Sequence, residues 1–260
     1  TSHLVRKGNK ACLPADLDLT KELMTKFRVQ PFTAQKKRKR PEPIDLFAEV
    51  KGQVLFPISC FEEFLDLPAV VPSTLKVQEN VFDFKGLLRD YQRPCLQALE
   101  EQLKTSKFSG ALLVADPAAG KTCMMLNLVS RLKVRTMICA HNNRLLDQWA
   151  SEIHQWLPNI GQVGRFQGKK RPQTTDLICL GSIPTLMRRP PIDPELQQFD
   201  LLIIDETHHL ASKSFQKIVF AVSPAYVVGC TATTQRTDKL DSVVELLIGP
   251  CCFTLKSKVQ

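Results

Sequence analysis

From Leu87 onward the sequence predicts an α/β domain in which a doubly wound parallel sheet is covered by helices on both faces. Three observations carry this expectation. Five short, continuous apolar runs read as strands buried on both sides: Ala111–Ala115, Thr136–Ala140, Leu177–Leu180, Leu201–Ile204 and Tyr226–Gly229. Segments of helical period separate or follow them, at Lys121–Leu132, Arg144–Leu157, Ser212–Ala221 and Lys239–Leu247. The polar residues with chemical potential then fall just after the apolar runs, at the carboxyl edge where such sheets bind ligands.

Before residue 85 the apolar residues come in short patches. A helix is expected around Leu19–Phe27, an extended piece around Val54–Phe56 and a short helix around Phe61–Leu65. The boundaries follow: an accessory region over 1–85 with a linker near 36–43, the α/β domain over 86–250, and in 251–260 the start of a connection to a second domain. The chain begins at Thr1, which leads us to expect a fragment or a processed protein.

The formal net charge of +9 is unevenly placed. Residues 1–40 hold eleven Lys and Arg against three Asp and Glu, which leaves 24 against 23 in the remainder. A basic segment suits a polyanion, and a solvated tail explains the charge equally well. The run Lys36-Lys37-Arg38-Lys39-Arg40 before Pro41 reads three ways: nuclear import signal, nucleic-acid arm or solvated linker. Nine cysteines with no C-x-x-C pair point away from a disulfide framework or zinc site and toward an intracellular, reducing setting, nuclear or cytoplasmic. No stretch of 18 apolar residues is present, so no membrane partner is expected.

Ala115-Asp116-Pro117-Ala118-Ala119-Gly120-Lys121-Thr122 follows an apolar run and opens a helical one, the context of a phosphate-binding loop with Ala in place of the first Gly. Backbone N–H groups of Ala118, Ala119 and Gly120 would cradle phosphate, Lys121 would neutralise it and the Thr122 hydroxyl would ligate Mg²⁺. Asp205-Glu206 closes the apolar run 201–204. Asp205 is the candidate second metal group, and Glu206 the candidate base for an attacking water. A pair that merely caps the next helix is the plainer alternative.

Asp205-Glu206-Thr207-His208-His209 resembles the D-E-x-H motif II of superfamily 2 helicases, and Gly229–Asp238 resembles their motif III in its T-A-T-P-x-R-x-D form, with Thr234 where Pro is usual. Arg89-Asp90-Tyr91-Gln92 resembles the R-x-Y-Q signature upstream of the phosphate loop, Ala140–Trp149 resembles motif Ia, and Ser182–Leu186 resembles motif Ib with an atypical Pro184. The resemblance covers about Leu87 to Pro250 and is closest to XPB-type DNA translocases. The N-terminal part loosely resembles the accessory region of viral transcription-type helicases.

The resemblance implies a RecA-like P-loop domain using ATP and Mg²⁺, with Lys121, Asp205 and Glu206 catalytic. It implies that Gln92 reads adenine beside Arg89, that His208, Thr231 and Thr233 couple hydrolysis to movement, and that His141, Asn142, Asn143, Ser182 and Thr185 contact nucleic acid, DNA before RNA. By the sequence alone, Leu145, Leu146 and Trp149 read as core. The family's second RecA-like domain, which supplies an arginine finger, has no counterpart before Gln260, so a fragment or a partner in trans is expected. Two rivals stand: a non-catalytic nucleic-acid-binding module, and the motor portion of a restriction enzyme.

Overall fold

The computed structural model describes residues 5–7, 10–30, 42–57, 83–105, 109–116, 118–207, 212–232 and 241–255. The run 36–40, the helix expected at 61–65, and the candidates His208 and Thr233 lie outside them.

The long sheet has seven strands. They are β7 (Gly110–Ala115), β8 (Thr136–Ala140), β9 (Gly164–Phe166), β10 (Ile178–Ser182), β11 (Leu201–Ile204), β12 (Tyr226–Thr231) and β13 (Cys251–Leu255), in the spatial order β13-β7-β12-β11-β8-β10-β9. Every pairing is parallel. Side chains alternate between two cores with the period of two that a pleated strand imposes. Ile138, Ala140, Leu201, Ile203, Val228 and Cys230 face one core. Met137, Cys139, Leu202, Ile204 and Val227 face the other. That is why the runs are apolar at every position.

The first core is closed by three helices: α2 (Gln92–Thr105), α3 (Lys121–Leu132) and α4 (Asn143–Trp156). On the opposite face lie α5 (Ile183–Leu186), α6 (Ser212–Val222) and α7 (Asp241–Ile248). The five expected strands are present within a few residues; two further strands, β9 and β13, extend the sheet at its edges. Residues 251–255, read as the start of a connection, instead pair with β7 and belong to the sheet. Gly249 makes this return feasible: its φ of +123° and a gap that would put an added Cβ 2.3 Å from the Gly110 carbonyl both exclude a side chain.

The N-terminal region is more than a basic tail. Strands β1 (Val5–Lys7), β2 (Lys10–Pro14), β5 (Ala48–Val50) and β6 (Gln53–Pro57) form an antiparallel sheet in the order β1-β2-β6-β5, beside a two-stranded pair of β3 (Arg28–Val29) and β4 (Ile44–Asp45). Helix α1 (Asp18–Lys26) completes it. Cys12, Leu23, Phe27, Phe47 and Phe56 share one continuous core with α6 and α7, so this sheet packs on the larger α/β domain.

Lys10 sits in that junction, fully buried, with its ammonium donating to the Val219 carbonyl and lying 5.1 Å from the centre of the Phe220 ring. Burial pushes its pKa well below the usual lysine value. The unfolded chain therefore binds more protons than the folded one between that lowered value and the ordinary one, and stability rises as pH climbs through that window. Val219 O also accepts the Ser223 N–H at 3.0 Å, so losing the ammonium would not orphan it. Lys10→Met is expected to stabilise the protein by about 1–4 kcal/mol near neutral pH. Thermal melts from neutral to alkaline pH should show the gain shrinking as pH rises.

Candidate nucleotide site

Two left-handed residues shape the loop after β7: Ala118 at φ +66° and Gly120 at φ +79°. Residues of this kind turn successive N–H groups inward into an anion-binding concavity. The loop then feeds α3, whose first-turn N–H groups have no partners within the helix. Only glycine fits at 120, because a Cβ there would stand 2.3 Å from Gln92 Nε2. Gln92 is 3% exposed. Its Nε2 donates to the Ala119 carbonyl at 2.9 Å, and its Oε1 accepts from the Arg89 N–H at 2.9 Å. The amide expected to read adenine thus braces the phosphate loop, with one donor hydrogen and one lone pair left over. Arg89 is exposed, and its guanidinium donates to the Tyr91 hydroxyl at 2.7 Å.

Asp205 and Glu206 leave β11 side by side. Glu206 takes a left-handed φ of +52°, a costly conformation for a non-glycine residue of the kind that clusters at functional sites. It stands 3.7 Å from Lys121 Nζ, which also donates to the Ala115 carbonyl at 3.2 Å. Asp205 is buried; Oδ2 accepts from the Trp149 indole N–H at 2.9 Å and Oδ1 from the Glu206 N–H at 2.9 Å. Its pKa is raised, chiefly by burial and further by the neighbouring Glu206 charge, while the Trp149 hydrogen bond and Lys121 oppose the rise. Thr231, the one described residue of the candidates His208, Thr231 and Thr233, is buried at the end of β12 between β7 and β11.

A cleft of about 570 Å³ joins these groups. Ala118, Gly120, Lys121, Thr122, Asp205 and Glu206 form one end, while Leu87, Arg89 and Trp156 line it as well. The α4 residues Leu145, Gln148, Trp149, Glu152 and Trp156 supply a wall. Sequence reasoning missed that wall. The signal was available, since spacings of three, four, seven and eleven from Leu145 put all five on one helical face. The amphipathic pattern was instead read as core, which Trp149 is in part at 3% exposure.

The residues expected to contact nucleic acid lie after neighbouring strands. His141, Asn142 and Asn143 are exposed after β8, and Asn142 Oδ1 caps α4 by accepting the Leu145 N–H at 2.9 Å. Ser182, the last residue of β10, is 8% exposed. Thr185 is half-buried and accepts the Gly168 N–H at 2.9 Å, which ties the turn after β9 to α5. Pro184 falls in the first turn of α5, where its missing N–H costs nothing.

Comparison with known proteins agrees with this geometry. DNA 3'-5' translocase XPB2 of Sulfurisphaera tokodaii is 31% identical over 69% of this chain and 40% of its own length. Helicase 109L of Invertebrate iridescent virus 3 is 29% identical over 66% of this chain and 53% of its own. The chain thus spans about half or less of these relatives. The crystal structure of the UvsW helicase from bacteriophage T4 shares the fold, with a TM-score of 0.66 at 15% identity over 96% of this chain and 97% of that one. The model of the Type III restriction enzyme res subunit family, ResIII, matches residues 85–236. That match spans more than half of the chain, and the protein belongs to this family, with the motor fold of superfamily 2 helicases.

Proposed function

We propose that this chain is the ATP-binding half of an ATP-dependent DNA translocase or helicase, acting with Mg²⁺ and with a second RecA-like domain in cis or in trans. One observation carries the reading: Lys121, Asp205 and Glu206 converge from β7–α3 and β11 on one cleft, with Lys121 Nζ 3.7 Å from Glu206. The residues present fit a magnesium nucleotide. Left-handed backbone at Ala118 and Gly120 turns the N–H groups of the loop into a concavity suited to an anion. Trp156 Nε1, on a residue lining the same cleft, is buried without a hydrogen-bond partner among the described residues. Thr122 and Asp205 together supply the hydroxyl and carboxylate oxygens that a hard cation takes alongside phosphate.

In this reading Lys121 neutralises the phosphate oxygens, and the loop amides orient them. Thr122 and Asp205 would hold Mg²⁺, which would supply charge neutralisation to the phosphate tail. Glu206 accepts a proton from the attacking water, and its salt bridge to Lys121 holds the carboxylate ready. Gln92 and Arg89 flank the base. An arginine finger from such a second domain would be worth about 10³–10⁵ in rate, as in comparable enzymes.

Support for a nucleic-acid track comes from exposed cations at the same edge of the sheet. Arg144 follows β8, Lys169, Lys170 and Arg171 follow β9, and Arg188 follows α5. The near-neutral charge of residues 41–260 hides this local cluster. The setting we propose is intracellular, nuclear or cytoplasmic, which suits buried thiols such as Cys139 and Cys230, whose pKa values burial raises far up.

Fluorescence anisotropy with single-stranded DNA, duplex DNA and RNA across a salt series tests the track. Replacing Lys169, Lys170 and Arg188 by Ala is expected to weaken duplex binding and to cut the log–log salt slope by about 2–3. An unchanged slope removes the track, and a clear preference for RNA shifts the substrate from DNA to RNA.

A further inference from the structure

Trp149 lies on α4 seven residues after its cap Asn142, and its indole crosses to the end of β11. An indole N–H can only donate. Its acceptor is Asp205 Oδ2 at 2.9 Å, while Oδ1 takes the Glu206 N–H at 2.9 Å. Both carboxylate oxygens are thereby held, so rotation about the Cβ–Cγ bond is blocked. Each oxygen keeps a further lone pair directed elsewhere. Magnesium demands near-ideal octahedral geometry, so a carboxylate that serves it, directly or through water, gains from being held still.

We infer that Trp149 is a positioning residue for the metal group of this site, acting through its hydrogen bond to Asp205 to set how strongly Mg²⁺ tightens nucleotide binding. This rests on the nucleotide reading above. A purely structural aromatic at 149 would act otherwise, shifting nucleotide affinity equally with and without the cation. Trp156 offers a matched comparison: it lies seven residues further along the same helix and lines the same cleft, but its buried Nε1 has no partner among the described residues.

The test titrates the full chain with ADP in Mg²⁺ and in EDTA, comparing wild type, Trp149→Phe and Trp156→Phe. In wild type the cation tightens binding by some factor. In Trp149→Phe that factor is expected to fall about tenfold, as loss of one hydrogen bond to a charged group implies, with affinity in EDTA little changed. In Trp156→Phe both affinities move together and the factor stays. A wild-type factor in Trp149→Phe, or equal losses in Mg²⁺ and EDTA, overturns the inference. Wild type that binds no ADP under either condition overturns the nucleotide reading itself.

Fluorescence supplies a second measurement that does not depend on Trp149→Phe folding. The sequence has two tryptophans, so Trp156→Phe reports Trp149 alone. Adding Mg²⁺ to its ADP complex is expected to shift the indole emission, and Asp205→Asn in that background is expected to abolish the shift. Flat emission in the single-tryptophan protein overturns the inference.

Discussion

Glu206→Gln is expected to slow ATP hydrolysis by about 10²–10⁴-fold, the usual worth of a positioned general base, while leaving nucleotide binding near wild type. The amide keeps the size and hydrogen-bonding capacity of the carboxylate but cannot take a proton. Removing one negative charge beside Asp205 also relieves like-charge repulsion, so affinity for the phosphate tail should hold or improve. Single-turnover hydrolysis and calorimetric binding, measured on the same preparation, separate the two effects. Equal hydrolysis rates would place the base elsewhere.

Lys121→Ala should act on binding. Its ammonium faces the cleft between the Ala115 carbonyl and Glu206, with a side chain 12% exposed. Losing a charge-assisted bond to phosphate of about 1.5–3 kcal/mol would weaken nucleotide binding by roughly one to two orders of magnitude. Asp205 and Glu206 would also lose their nearest described cation. The weakening should therefore be largest for triphosphate, less for diphosphate and least for adenosine. Equal losses for all three would mean that Lys121 supports the fold rather than the phosphates.

Much of the architecture was readable because the central strands are buried on both faces. That demands apolar residues at every position, as in Leu201-Leu202-Ile203-Ile204. The edges follow a different rule. Strand β9 is three residues long with Arg165 at its centre, and β13, Cys251-Cys252-Phe253-Thr254-Leu255, is interrupted by Thr254 and only partly buried, so neither has the fully buried run of an inner strand. The N-terminal sheet escaped for a related reason: its strands are short and antiparallel, and one buries a lysine, which sequence reasoning assigns to solvent. Only 53–57 had enough apolar residues to be foreseen as extended.

The site divides the same way. Spacing along the chain located Lys121, Asp205 and Glu206, because each follows a strand whose end is set by the pattern. Contacts across the fold were not legible. Gln92 on the Ala119 carbonyl, Trp149 on Asp205 and the burial of Ser182 all depend on which helix packs against which loop. A one-dimensional pattern does not encode that. Trp149 shows the cost most clearly, since a residue can belong to the core and still hold a polar group in the cleft.

The proposed motor function requires this cleft to hold ATP. The most direct test is a calorimetric titration of the full chain with a non-hydrolysable ATP analogue in Mg²⁺, repeated with Lys121→Ala. Saturable binding at one site, tightened by Mg²⁺ and strongly weakened in the variant, is the result the structure leads us to expect. A folded wild-type chain that takes up no nucleotide, or one that binds as well without Lys121, would contradict it.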